Sequence, residues 1–148
     1  MDTFKQNDVI ALKERFETYG EGTIVVVLQK RGSRSLQVQI RHAGSQMVNR
    51  VIPNSYFRKA TPLELVAHLR AIFEENPVKA IKLAYANDDP IRFASYLQAN
   101  NFSYLVKNNI SVIVHAMFDG KISRPMAEDF LSAFADVKNT VYEEKRND

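Results

Sequence analysis

The sequence contains no cysteine and no tryptophan. Without cysteine the chain cannot form a disulfide bond, present a thiolate nucleophile or build a cysteine-based zinc site. It also lacks an apolar run near the ~20 residues that a membrane span requires, and its N-terminal segment lacks the apolar core of a signal peptide. These absences predict a cytoplasmic protein with no membrane partner.

Acidic residues are absent between Glu21 and Glu64. Residues 1–60 hold ten Lys and Arg against five Asp and Glu, a net +5, whereas residues 61–148 hold ten against twelve, a net −2; together they give the chain's +3. A local excess of positive charge is typical of a surface that binds a polyanion, and a solvated basic face without a partner is the alternative. The acid-free window contains seven cations, which are Lys30, Arg31, Arg34, Arg41, Arg50, Arg58 and Lys59.

The first sixty residues show the pattern of short β-strands separated by turns. Segment 23–28 is rich in β-branched residues, which favour strands. In segment 36–41 apolar residues alternate with Gln37, Gln39 and Arg41, as in a strand with one buried face. Further strands are predicted over 8–13, 47–52 and 57–61. Five short strands with glycine-containing turns predict a small closed barrel over residues 1–61.

The pattern becomes helical at residue 61. Thr61 is a good N-cap and Pro62 suits the first helical position, so a helix is predicted to begin there and to end at Asn76-Pro77. Asp88-Asp89-Pro90 and Ser123-Arg124-Pro125 predict two further helix starts, the second leading into an apolar stripe from 126 to 141. Segment 78–86 favours helix, and segment 110–118 fits either a buried strand or a buried helix. The predicted fold class is α+β, with a barrel over 1–61 and a mostly helical domain over 62–148.

The order of signals in the first half resembles the KOW motif and its Tudor-like relatives among SH3-like barrels. The matching segments are the polar pair and strand at 7–12, the glycine-ended loop at 19–22, the hydrophobic strand at 23–28 and the closing turn and strand at 52–61. The sequence departs from the pattern at Asn7, where the family often has glycine. The combination of such a barrel with a helical half also resembles phage transcription modifiers, and this resemblance implies a location in the host cytoplasm or nucleoid if the protein is phage-encoded.

The resemblance implies a nucleic-acid-binding protein, and the charge pattern independently favours a polyanion partner. The expectation is low-specificity binding of double-stranded DNA, with a role in transcription or nucleoid organisation and contacts to host transcription or nucleoid proteins. An RNA-binding module and an adaptor or inhibitor that binds a host protein are the alternatives. The predicted site combines the seven cations with two amides, because guanidinium forks and amides suit phosphate oxygens and base edges: Lys30, Arg31, Arg34, Gln37, Gln39, Arg41, Arg50, Arg58 and Lys59.

Catalysis is the least favoured reading. His42, His68 and His115 lie far apart in sequence and in no metal-ligand spacing. No Walker loop, dinucleotide-binding glycine motif or nucleophile elbow occurs. The sequence therefore predicts no enzyme activity, no cofactor and no metal site.

Overall fold

The computed structural model describes residues 3–41, 46–87 and 90–134, and it is an α+β structure in which a five-stranded antiparallel sheet is followed by helices. The described residues form two compact units that divide between Leu65 and Val66. This division lies close to the boundary predicted at residue 61.

The sheet has the strand order β4-β3-β2-β1-β5, with antiparallel pairing throughout. A 3₁₀ turn over Asn54–Tyr56 occupies the short connection between β4 and β5. In the described pairings β4 and β5 are the two edges, so the sheet is open and the predicted closed barrel is not seen as a ring of hydrogen bonds. The strands are β1 Val9–Leu12, β2 Ile24–Arg31, β3 Ser35–Arg41, β4 Met47–Pro53 and β5 Phe57–Lys59.

One hydrophobic core receives side chains from all five strands. In β3 the buried residues Leu36, Val38 and Ile40 alternate with partly exposed polar residues, which confirms the alternation predicted from the sequence. Strand β2 carries an irregularity between Val27 and Gln29 that shifts its register with β3. The buried members of this core are Phe4, Ile10, Leu12, Val25, Val27, Leu36, Val38, Ile40, Ile52 and Phe57.

Six helices lie within the described residues, at α1 Pro62–Glu75, α2 Pro77–Ala86, α3 Pro90–Ala99, α4 Ser103–Lys107, α5 Ile110–Phe118 and α6 Arg124–Ser132. Segment 110–118, which the sequence left open, is helical, and its buried residues Ile110, Ile113 and Ala116 follow a helical spacing. Helix α4 was not predicted, because it has only five residues and no side-chain cap. Asp88, Asp89 and the part of the predicted C-terminal stripe beyond residue 134 lie outside the described residues.

Helix α1 begins as the sequence predicts. The Thr61 side-chain oxygen accepts from the Glu64 N–H at 3.2 Å, and the Glu64 carboxylate accepts from the Thr61 N–H at 2.8 Å, which together form a capping box. The helix ends before Asn76, whose side chain caps α2 by accepting from the Lys79 N–H at 3.1 Å.

The second compact unit is built around three aromatic rings. Phe93 and Phe130 stack with ring centroids 5.8 Å apart, and Phe73 lies 6.2 Å and 6.0 Å from them. Phe130 and Phe134 belong to the apolar stripe predicted for the last helix, and both are buried. None of the helices in the described ranges combines the length and apolarity needed to cross a membrane.

Candidate nucleic-acid interface

Part of the predicted site lies on one face of strands β2 and β3. Gln37, Gln39 and Arg41 alternate with the buried residues of β3 and so share the face opposite the core. Arg31 of β2 pairs with Ser35, which puts it on the same face. The Gln37 side-chain oxygen accepts from Arg31 Nε at 3.3 Å and from the Gln29 side-chain amide. We call the surface of Gln29, Arg31, Gln37, Gln39 and Arg41 the glutamine face.

Arg50 does not belong to the glutamine face. The register of β3 and β4 sets Arg50 opposite Val38, so its side chain leaves the sheet on the core side. There it forms an ion pair with Glu17 and lies over the Phe16 ring, with Cζ 5.9 Å from the ring centroid. The expectation that all seven cations share a surface is therefore wrong for Arg50, because its position in β4 has the parity of the core residues.

Arg58 is largely neutralised by an acidic neighbour. Its guanidinium donates two hydrogen bonds to the Glu64 carboxylate, Nη1 to Oε1 at 2.7 Å and Nη2 to Oε2 at 3.0 Å. The hydrogen bond from Arg58 is the main cause that lowers the pKa of Glu64 to about 2, and the same bond raises the pKa of Arg58. Lys59, its neighbour in β5, is exposed but lies on the strand at the opposite edge of the sheet from β4. Neither residue extends the glutamine face beside β3.

Three exposed cations of the predicted site flank the turn between β2 and β3. Lys30 pairs with Leu36 and Arg31 with Ser35, so these two side chains leave β2 on opposite faces of the sheet, and the expectation of one shared face is wrong for Lys30 as well. Lys30, Arg31 and Arg34 are exposed there, and Gly32 adopts φ +69°, a left-handed conformation that favours glycine. Within the described part of the chain these three side chains form no ion pair. The Asn54 N–H donates to the Arg34 carbonyl at 2.7 Å, which ties the turn to the 3₁₀ segment. We call Lys30, Arg31 and Arg34 the hairpin cations.

An open depression with a volume of about 720 Å³ lies beside Arg34. Arg34 belongs to the predicted site, whereas Lys13 and Asn54 do not, because Lys13 precedes the acid-free window and Asn54 lies in a segment predicted only as a turn. The residues that line this hairpin depression are Phe4, Lys13, Ser33, Arg34, Pro53, Asn54, Ser55 and Phe57.

The two histidines within the described residues lie on different helices. His68 is partly buried in α1, His115 is exposed on α5, and His42 lies outside the described residues. Across the described ranges, no three His, Asp or Glu side chains are grouped in a way that could hold a metal ion.

Comparison with known proteins does not identify a family. No family model, curated protein or solved structure matches this chain. The resemblance to KOW-type barrels thus stays a prediction, and the functional proposal rests on the residues and their geometry.

Proposed function

We propose that residues 1–61 form an SH3-like barrel of the KOW or Tudor type. Two features support this. Strand β1 pairs with both β2 and β5, and a 3₁₀ turn links β4 to β5. Side chains from all five strands fill one core, and a sheet that curves around this core would bring its edge strands, which do not pair within the described residues, toward closure.

The departure from the family pattern at Asn7 is conformationally conservative. Asn7 has φ +73°, in the left-handed region where glycine is favoured. Asparagine is one of the few other residues that enter this region readily. The backbone at Asn7 therefore has a conformation that glycine would also accept, and the Asn7 N–H donates to the Val27 carbonyl at 2.8 Å.

We further propose that the protein binds nucleic acid, and DNA in particular, with low sequence specificity. The observation that carries this proposal is that the three hairpin cations lie exposed within residues 30–34 and form no ion pair within the described residues. Cations held close together release condensed counterions when they meet a phosphate backbone, which gives affinity without sequence information.

The glutamine face extends this surface along β3. Arg31 belongs to both groups, and its hydrogen bond to Gln37 helps to orient the amide. Glutamine amides can donate to phosphate oxygens and can pair with base edges. The hairpin cations would supply most of the affinity, and the glutamine face would position the nucleic acid on the sheet.

A role in transcription or nucleoid organisation fits binding of this kind. Binding that is directed at the phosphate backbone does not depend on base sequence, so the protein would bind at many sites along a chromosome. A KOW-type barrel joined to a helical half is also similar to the phage transcription modifier MotB. Contacts with host transcription or nucleoid proteins would then fall to surfaces outside the cation cluster.

Fluorescence anisotropy with labelled DNA of several unrelated sequences tests the proposal. The triple variant Lys30→Gln/Arg31→Gln/Arg34→Gln should bind at least about tenfold more weakly than the wild type, with similar loss for every sequence. The control is Lys82→Gln/Lys121→Gln/Arg124→Gln, which removes the same formal charge from exposed positions of the second unit. The control should bind within about twofold of the wild type.

The same assay separates the alternatives. An RNA-binding module would bind RNA clearly more tightly than DNA of the same sequence. An adaptor that uses the hairpin cations to hold an acidic protein would bind no nucleic acid even at low salt. Equal loss in the triple variant and its charge-matched control would show that only net charge matters, which contradicts a site at the turn.

A further inference from the structure

We infer that the hairpin depression receives one unpaired base, so that the protein prefers single-stranded or locally opened DNA to an intact duplex. This inference rests on the proposed nucleic-acid binding and adds the strand form that is recognised. It follows from the size of the depression, from the chemistry of its walls and from its place next to a hairpin cation.

The depression is larger than phosphate contacts require. Its volume of about 720 Å³ falls within the ~300–1,000 Å³ typical of sites for small organic ligands. Phosphates of an intact duplex lie on a convex surface and are reached by side chains that project outward. A concave site beside those side chains is better matched by a group that leaves the strand, and the bases of a single strand are free to do so.

The walls of the depression suit the flat face of a base. Exposed Pro53 supplies apolar surface, and the rings of Phe4 and Phe57, which are 4% and 3% exposed, lie beneath it as members of the core. Phe4 and Phe57 are themselves buried and meet edge to face, with ring centroids 6.4 Å apart, so they form a fixed floor. In a duplex both faces of a base are covered by its neighbours, and only an unpaired base can offer a face to this surface.

Charge at the depression suits the phosphates that flank such a base. Lys13 and Arg34 are exposed lining residues, and the described residues that line the depression include no acid. Their segments are fixed to the 3₁₀ turn by backbone hydrogen bonds, from the Lys13 N–H to the Tyr56 carbonyl at 2.9 Å and from the Asn54 N–H to the Arg34 carbonyl at 2.7 Å. The backbone positions that carry the two cations are therefore fixed by the fold.

Asn54 adds a hydrogen-bond acceptor that lacks a donor. Its side-chain oxygen is shielded from solvent and accepts no hydrogen bond from the described residues. Its amide nitrogen donates only a long hydrogen bond, 3.5 Å, to the Ser33 carbonyl. Rotation of the side chain toward a ligand would therefore lose only a weak hydrogen bond. Bases carry N–H donors on the edge that is used in pairing, and this edge is free only in an unpaired base.

The test compares three labelled DNAs in the same buffer: a short single strand, the same strand with abasic residues in place of its nucleotides, and the corresponding duplex. The abasic strand keeps the phosphates and removes the bases. The wild type should bind the single strand about tenfold more tightly than the abasic strand, as expected for the loss of a stacked base. It should also bind the single strand more tightly than the duplex.

Two variants place the effect at the depression. Ser33→Leu fills the space without changing charge, and Asn54→Ala removes the acceptor; each should reduce the preference for bases over abasic residues to less than about threefold. Lys5→Gln, at an exposed position outside the depression, is the control and should keep the full preference. Circular dichroism and thermal melting check that each variant is folded. Because one variant adds bulk and the other removes a hydrogen-bond acceptor, the second still tests the inference if the first fails to fold.

Equal affinity of the wild type for the single strand and the abasic strand would overturn the inference and leave backbone binding by the hairpin cations intact. A preference that survives both Ser33→Leu and Asn54→Ala would also overturn it, because the base would then bind elsewhere. Absence of binding to all three DNAs at low salt would instead refute the proposed function as well.

Discussion

Arg58 and Glu64 form a two-pronged ion pair that joins the last strand of the sheet to the first turn of α1. The two hydrogen bonds measure 2.7 Å and 3.0 Å, and the Glu64 carboxylate also accepts from the Thr61 N–H. Glu64 is the residue that ends the acid-free window. The first acid after the window thus binds one of its cations, and Arg58 acts mainly in the structure of the strand-to-helix connection.

The ion pair predicts a pH-dependent contribution to stability. The pKa of Glu64 is lowered to about 2 from its usual 4.5, so its contribution is complete above about pH 4.5 and is lost as the pH falls toward 2. The Arg58 side chain is 37% exposed, and solvent screening reduces the contribution to about 1 kcal/mol. Glu64→Gln should lower the free energy of unfolding by this amount at pH 7 and by almost nothing near pH 2, measured by urea denaturation. The same loss at both pH values would contradict the ionic origin.

The backbone at Asn7 predicts an unusual order of substitutions. The free energy of unfolding of Asn7→Gly should lie within about 1 kcal/mol of the wild-type value, because glycine accepts φ +73°. Asn7→Val should cost about 1–2 kcal/mol more than Asn7→Gly, because a β-branched residue is strained there. Thermal melting of the two variants measures the difference. Equal stability would show that the left-handed conformation is not required.

The alternation of buried and exposed residues in the sheet predicts losses of stability of very different size for substitutions at two apolar residues. Leu36 is buried in the core of the sheet, whereas Val51 is 50% exposed. Leu36→Ala should destabilise the protein by about 2–5 kcal/mol, and Val51→Ala by less than about 0.5 kcal/mol. Chemical denaturation provides both values. A large effect of Val51→Ala would mean that this face of the sheet is covered.

Arg50 is predicted to stabilise the fold and to make no contact with nucleic acid. It pairs with Glu17 and lies over Phe16, and Phe16 meets Tyr56 at a ring-centroid distance of 5.2 Å. Arg50→Gln should lower the melting temperature and leave DNA affinity within about twofold of the wild type. If Arg50→Gln instead weakened binding as much as the change at Arg34, the division of the cations between the two faces would be wrong.

Local patterns in the sequence predicted much of the fold. The polar–apolar alternation of 36–41 assigned the faces of β3, and Thr61-Pro62 located the start of α1. Each of these signals lies within a few residues of the feature that it determines. Helix α4 carried no such signal, and segment 110–118 could not be assigned because short apolar runs fit both strand and helix.

The composition of the site was harder to predict, because it depends on register and on long-range contacts. The number of cations in a segment can be read from the sequence, but the face on which each lies cannot. Arg50 faces the core while Arg31 faces outward, and a shift of one residue in strand pairing would reverse either assignment. The hairpin depression combines residues from four separate segments, among them Phe4, Lys13 and Asn54. Such a combination becomes visible only once the strands are paired.

The salt dependence of DNA binding tests the central claim most directly. The wild type and the triple variant at Lys30, Arg31 and Arg34 are titrated with the same duplex over a range of salt concentrations, and the slope of log affinity against log salt is compared. If the hairpin cations displace counterions from the phosphates, the slope should become shallower by about 2–3 in the variant. An unchanged slope would mean that these three side chains do not contact the phosphate backbone, and it would contradict the account.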